Sequence, residues 1–159
     1  MKRDLNKNTR YLLWTALIMV LSVGVSCQKE KLPNEVKTVE DAYRVIVGAW
    51  EWEKTVMQGR GQDKPIYETP ETENKTIQQI FTENNKLKVI EIINNVNKNT
   101  DYEYSIIANS SDENVGSFIL ILTNTDSKEV HRSWFKFIDK NTWYFYHGSI
   151  SFTSYFTRK

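Results

Sequence analysis

A rhythm of two constrains this chain more than anything else in it. Between Ala49 and Arg158, eight short runs repeat, more or less cleanly, an alternation of large apolar side chains with polar ones: "AWEWEKTV", "KTIQQIFT", "KLKVIEII", "DYEYSII", "SFILILT", "EVHRSWFKFI", "TWYFYH" and "ISFTSYFTR". Alternation sends successive side chains to opposite faces of an extended backbone, so each run reads as a strand with one buried face. In the first run Trp50 and Trp52 share one face, while Glu51 and Glu53 share the other and read as solvated. The separators are turn chemistry: "ENN" at 83–85, "NNVNKN" at 94–99, "NSSDENVG" at 109–116, "NTDSK" at 124–128, "DKN" at 139–141 and "GS" at 148–149. None reaches the roughly dozen residues of a parallel crossover, so neighbouring strands are antiparallel.

A meander of this kind must dispose of two sheet edges, and closure into a barrel removes both. Two packed sheets are the alternative, but they normally use Greek-key connections longer than these. The expected fold is therefore all-β: an eight-stranded antiparallel up-and-down barrel with one short N-terminal helix. Short strands with Glu and Lys on their outward faces argue against a barrel that spans a membrane. One connection departs from the pattern. "QGRGQDKPIYETPETEN", 58–74, is long, polar and holds two of the three prolines. Unstructured loops beyond ~12–15 residues are commonly functional, which makes it a candidate lid.

The helix is expected in "TVEDAYRVIVG". Thr38 suits the N-cap, with Glu40 and Asp41 in the first turn. Val39, Ala42, Tyr43, Ile46 and Val47 follow one apolar stripe, and Gly48 ends it.

The start of the chain has a different character. "MKRDLNKNTR" is basic, "YLLWTALIMVLSVGV" is apolar, and "SC" follows. This is the layout of a secretory signal, too short for a spanning helix of ~20 residues. Cys27 is the only cysteine, so no intramolecular disulfide can form. The apolar run, the small residues Gly24 and Ser26, and then Cys27 resemble the bacterial lipobox, although Gly24 stands where leucine is more usual. The resemblance implies cleavage before Cys27, acylation of Cys27 and anchoring in a membrane through its lipid. The charged "QKEKLPNE" that follows resembles the export tag of surface lipoproteins of the Bacteroidota, which implies the outer face of the outer membrane. The domain boundaries are then 1–26 signal peptide, 27–37 lipidated Cys27 and tether, and 38–159 barrel. Removing residues 1–26 takes away four basic residues and one acid, which turns the formal charge of +1 into −2. A mildly acidic body carries no electrostatic footprint for nucleic acid.

Gly48-Ala49-Trp50, at a helix-to-strand junction, resembles the G-x-W signature of the lipocalin superfamily. Arg158, near the end of the last strand, resembles the basic residue that packs over that tryptophan. "SYFTRK" together with "AWEWEKTV…TPETENKTIQQIF" is similar to lipocalin-like lipoproteins of the Bacteroidota, over most of residues 46–159. The resemblance implies that Trp50 plugs one barrel end under Arg158 and that Trp52, one pleat further in, is the first side chain to meet the interior. The middle strands carry no family fingerprint, so no ligand type follows.

Small eight-stranded barrels either fill with side chains or hold one small ligand. Trp52, Phe81, Tyr102, Tyr104, Phe135, Phe145 and Phe156 are the candidate cavity wall if the second applies, and core packing if the first does. His131 and His147 are the only histidines, with no third ligand at a recognisable spacing, so neither a metal nor another cofactor is expected. No G-x-S-x-G elbow is present, and the Glu51/Glu53 pair faces solvent, so no catalytic residue is assigned and the chain reads as a non-enzyme. Two functional classes stay open. One is an anchored barrel that binds a small hydrophobic or amphipathic molecule at the cell envelope. The other is a non-catalytic subunit, its barrel filled, in an envelope or nutrient-uptake complex with a protein partner.

Overall fold

The structure, a computed structural model, describes residues 32–33, 35–58, 63–109, 116–147 and 152–159. The expected signal peptide, Cys27 and most of the expected tether lie outside the described residues, as do residues 59–62, 110–115 and 148–151 of three expected connections.

Helix α1 (Val39–Ile46) begins where the capping chemistry places it. The Thr38 hydroxyl accepts the Asp41 N–H at 3.1 Å, and the Asp41 carboxylate accepts the Thr38 N–H at 3.3 Å. These reciprocal bonds satisfy donors that a helix start leaves unpaired. Ala42, Val45 and Ile46 are its buried residues. The buried stripe therefore runs through Val45, while the expected Val47 is the C-cap and is only partly covered.

Among the described residues nine strands follow: β1 (Gly48–Met57), β2 (Ile66–Glu68), β3 (Lys75–Phe81), β4 (Lys86–Ile93), β5 (Val96–Ala108), β6 (Ser117–Asn124), β7 (Val130–Asp139), β8 (Thr142–His147) and β9 (Phe152–Arg158). From β3 to β9 each pairs antiparallel with the next. β9 then pairs with β1, from Trp50↔Arg158 to Met57↔Phe152, and β1 pairs with β3. The eight-stranded antiparallel up-and-down barrel is thereby closed.

β2 is an addition to that ring. β1 meets β3 only from Gly48↔Phe81 to Glu51↔Gln78. Beyond this the vacated edge of β1 is taken by β2, at Thr55↔Glu68, Val56↔Tyr67 and Met57↔Ile66. The connection 58–74 is thus not structureless. Besides β2 it holds a one-turn helix α2 (Pro70–Glu73), capped by Thr69 and ended by Asn74 in the left-handed region. Three strand residues, two of them exposed and flanked by Pro65 and Pro70, leave no periodic trace.

Two further details depart from the sequence pattern. "NNVNKN" is a turn only at its first two residues. Asn94 and Asn95 have φ of 50° and 66°, the paired positive values of a tight hairpin, and β5 begins at once with Ile93↔Val96. In β1 the register shifts between Trp52 and Lys54, a β-bulge that leaves Glu53 as the extra residue. The inward parity therefore passes from Trp52 to Thr55, both buried, rather than to Lys54.

The core is concentrated at the end where β1 starts. Trp143, fully buried, lies within ring-contact distance of Trp50 (6.2 Å), Phe81 (6.0 Å), Phe135 (5.7 Å) and Phe156 (5.1 Å). Leu87, Phe118 and Phe137 extend this cluster, and α1 caps it. Tyr43 fixes the cap to the wall: its hydroxyl accepts the Ile106 N–H at 2.8 Å, and its ring stacks on Tyr104. No described helix is long and apolar enough to cross a membrane.

Candidate functional site

The closed end is held by a clasp of two residues from β1 and β9, paired across the closing seam. Trp50 is fully buried, and its indole N–H donates to the Ile46 carbonyl at 2.6 Å. The Arg158 guanidinium lies over the indole, 4.3 Å from the ring centroid. It also donates to the carbonyls of Val47 (3.0 Å), Lys140 (3.2 Å) and Val45. The Val45 and Val47 carbonyls sit at the C-terminal end of α1, where helix geometry leaves acceptors unpaired and a cation is favoured. Burial lowers the Arg158 pKa from its ordinary value. Gly48 makes the approach feasible: its φ is +133°, and a Cβ there would stand 2.6 Å from an Arg158 nitrogen. These residues close this end of the barrel around a fully buried tryptophan.

The other half of the barrel is open. A cavity of about 690 Å³ occupies it, inside the usual range for small-molecule sites. Period-two parity explains its lining. Lys75, Ile77 and Gln79 of β3 point inward ahead of the core residue Phe81, and Val89 and Glu91 of β4 follow the core residue Leu87. Trp52, Tyr102, Leu122, Phe145 and Phe156 supply the aromatic and aliphatic surface, with Met57 and Phe152 nearer the strand ends. Phe145 and Phe156 stack at 5.7 Å between centroids and 22° between planes.

Polar groups enter at two levels. At the mouth Lys75 and Glu91 form an ion pair at 2.5 Å, and Glu68, Glu73 and Lys98 contribute further charge. Deeper, the Trp52 indole N–H donates to Thr55 Oγ1 at 3.1 Å, and that oxygen shares a 2.9 Å hydrogen bond with Ser154 across the β1–β9 pair. Gln79 also lines the cavity; it is 9 % exposed, and its buried Oε1 has no hydrogen-bond partner among the described residues. The Trp143 indole N–H is likewise buried and unpartnered, but within the closed core rather than the cavity.

The structure divides the candidate wall residues. Trp52, Tyr102, Phe145 and Phe156 line the cavity. Phe81, Tyr104 and Phe135 do not, because they occupy inward positions at the closed end, where α1 and Trp143 fill the space. Tyr104 donates to the Thr82 carbonyl at 3.0 Å, and burial, with Tyr43 beside it, pushes its pKa up to about 12. Sequence reasoning passed over Gln79, Thr55, Ser154, Lys75 and Glu91, since a search for apolar alternation skips polar side chains on inward rows. Counting back by twos from Phe81 would have found Gln79 and Lys75.

His131 is exposed, with Nε2 3.7 Å from Glu129. The His147 side chain and Cys27 lie outside the described residues. Among the described residues no group of three His, Cys, Asp or Glu side chains is placed to hold a metal ion. Comparison of the chain with family models, with curated proteins and with solved structures gives no match.

Proposed function

We propose that this chain is a lipocalin-like lipoprotein that binds a small hydrophobic or amphipathic molecule in the open half of its barrel, while a lipid on Cys27 holds it to the outer membrane at the cell surface. The cavity of about 690 Å³ carries the reading. Nine of its 18 lining residues are apolar, five of those aromatic, and the other nine are polar or charged; such a wall offers an apolar body a surface and a polar end several partners. The Gly48–Trp50–Arg158 clasp supports the lipocalin resemblance, since the arginine lies on the tryptophan as the resemblance implies.

The alternative, a partner-binding subunit of an envelope or nutrient-uptake complex, has one observation in its favour. Trp134 and Tyr146 are paired across β7 and β8 on the outer face and are 55 % and 44 % exposed. Large aromatics left in water on adjacent strands suit a protein contact.

Tryptophan emission separates the two. Trp52 borders the cavity, so a bound apolar probe such as N-phenyl-1-naphthylamine should quench it, and Trp52→Phe should lose most of the signal while remaining folded by circular dichroism. Saturable probe binding that leaves Trp52 emission unchanged, or no binding at all, would rule out the cavity. The anchor is tested apart from this. Wild-type protein should partition into detergent and carry the mass of acyl chains, and Cys27→Ala should stay unprocessed. A soluble wild type with an unmodified Cys27 thiol would refute the anchor.

A further inference from the structure

The outer wall of the barrel has one flank unlike the rest. Strand register sets Ile107, Ile119, Trp134 and Tyr146 side by side across β5, β6, β7 and β8, in one outward row. Ile107, Trp134 and Tyr146 are 46 %, 55 % and 44 % exposed. The neighbouring row, two residues away on each shared strand, runs through Lys136, Tyr144, Tyr155 and Lys54. Its rings join the first row: Tyr144 lies 5.4 Å from Tyr146 and 5.5 Å from Tyr155, and Lys54 Nζ is 5.2 Å from the Tyr155 centroid. Arg132, exposed, stands outward on the other side of Trp134. Lys54 also pairs with Glu53 at 2.9 Å, so Arg132 and Lys136 carry most of the charge. Among the described residues, Asp139 is the only acid in β6 to β9; it ends β7, and its carboxylate accepts the Asn141 N–H at 2.7 Å. Acids stand outward elsewhere, as Glu51 on β1 and Asp101 and Glu103 on β5. On a mature chain of expected formal charge −2, this flank is aromatic and basic.

Resting on the anchor part of the reading above, we propose that this β6–β9 flank is the surface by which the barrel docks on the membrane that holds its lipid, and that it fits an anionic headgroup layer. The length of the tether argues for the membrane as occupant. Leu32 and Val36 already pack against the core, and Leu32 is five residues from Cys27. A fully extended chain of that length spans at most ~18 Å. The ten-residue strands β1 and β7 are about 33 Å long at ~3.3 Å per residue. An acylated Cys27 therefore holds the barrel closer to the bilayer than the barrel is long, and one of its faces is kept at the headgroups. Charge complementarity selects the face. Tryptophan and tyrosine settle at the headgroup level, where an apolar ring and a polar edge are both satisfied. Arginine and lysine beside them are drawn to lipid phosphates, which the outward acids of β1 and β5 would repel. The flank then adds a second, electrostatic signal to the acyl anchor.

The test uses the wild-type lipoprotein, purified from membranes in detergent and reconstituted into vesicles of phosphatidylcholine alone or mixed with phosphatidylglycerol. Each vesicle is made with and without lipid brominated near the headgroup, which quenches tryptophan on contact. Flotation and the mass of acyl chains report the anchor. Quenching of Trp134, read as the difference between wild type and Trp134→Phe, reports the face. Trp134 should be quenched in the anionic vesicles, less in phosphatidylcholine, and less at high salt. Lys136→Gln should lower the ratio of quenched to unquenched Trp134 about fivefold in the anionic vesicles, the weight of one cation near such a surface, and leave flotation unchanged. Should Trp134→Phe fail to fold, the wild type alone still decides: Trp50, Trp52 and Trp143 are buried, so quenching that rises with phosphatidylglycerol reports Trp134. Protein that floats with its acyl mass while Trp134 stays unquenched, or is quenched alike in both lipids, would overturn the proposal and leave the anchor standing. Trp134 shielded in native envelope membranes but unquenched in the vesicles would overturn it in favour of a protein partner. A wild type that neither floats nor carries acyl chains would remove both the anchor and the docking face.

Discussion

Arg158→Ala removes more than a surface charge, and the structure allows the loss to be sized. Three carbonyls, of Val45, Val47 and Lys140, lose a guanidinium donor, and the Trp50 ring loses the cation 4.3 Å above it. Hydrogen bonds to a charged group contribute ~1.5–3 kcal/mol each, and a cation over an indole ~0.5–2 kcal/mol. These terms do not add. Lys140 is exposed, so water replaces that bond, and the alanine variant is spared the ordering of a long side chain on folding, up to ~2 kcal/mol of rotamer entropy. We expect a net loss of about 3–4 kcal/mol, with Arg158→Lys near half of it because an ammonium cannot span the same carbonyls. Trp50→Ala should cost on the order of 3–5 kcal/mol, the usual range for truncating a buried tryptophan. The decisive quantity is their coupling. Urea denaturation of both single variants and the double, followed by far-ultraviolet circular dichroism, should give an interaction energy of about 1 kcal/mol or more. Losses that add within ~0.5 kcal/mol, or an Arg158→Ala cost below about 1 kcal/mol, would show that the clasp is geometry without energetic content.

Gly48→Ala combines a backbone strained at φ +133° with a Cβ placed 2.6 Å from an Arg158 nitrogen, so it should cost on the order of 2–3 kcal/mol, measured by the same denaturation; a neutral substitution would mean that Arg158 yields freely. Tyr104 holds its proton more tightly folded than unfolded, with its pKa raised from 10.0 to about 12. Stability from this group is therefore complete below pH 10 and is lost as the pH rises toward 12. Ultraviolet titration of the phenolates should lose a late-titrating component in Tyr104→Phe, and an unchanged late part of the curve would count against the assignment.

The barrel could be read in the sequence because its core is built from apolar side chains on alternate positions. Strand-turn signals such as "ENN" and "DKN" mark hairpins with little ambiguity. What escaped follows from the same physics. β2 is three residues long and mostly exposed, so it is held by backbone pairing with β1 and leaves no side-chain rhythm. β5 starts in "VNKNT", where Lys98 and Thr100 border the polar part of the cavity and supply no apolar rhythm, while the backbone completes the ladder with β4. The bulge after Trp52 reverses parity in the middle of β1, which no composition rule anticipates. The cavity was legible only in part. Aromatic rows along the strands identify an interior, but which of those residues face a void depends on α1 and Trp143 filling one end. Phe81 and Phe145 look alike in sequence, and only the first lies in the filled half.

The β1–β9 seam carries a consequence for time as well as for stability. Each hairpin from β3 to β9 joins neighbours along the chain, but the closing seam joins residues as remote as Thr55 and Ser154, 99 positions apart. Contacts of such long range are paid for in loop entropy and tend to form after local ones. The clasp of Trp50 and Arg158 lies at one end of that seam, so it should be largely absent from the folding transition state. Interactions made after the barrier slow unfolding without hastening folding. In a stopped-flow chevron Arg158→Ala should therefore raise the unfolding limb and leave the folding limb nearly in place, whereas a slowed folding limb would put closure before the barrier. On this view the last strand acts as a latch: it decides how long a closed barrel survives, not how fast one is made.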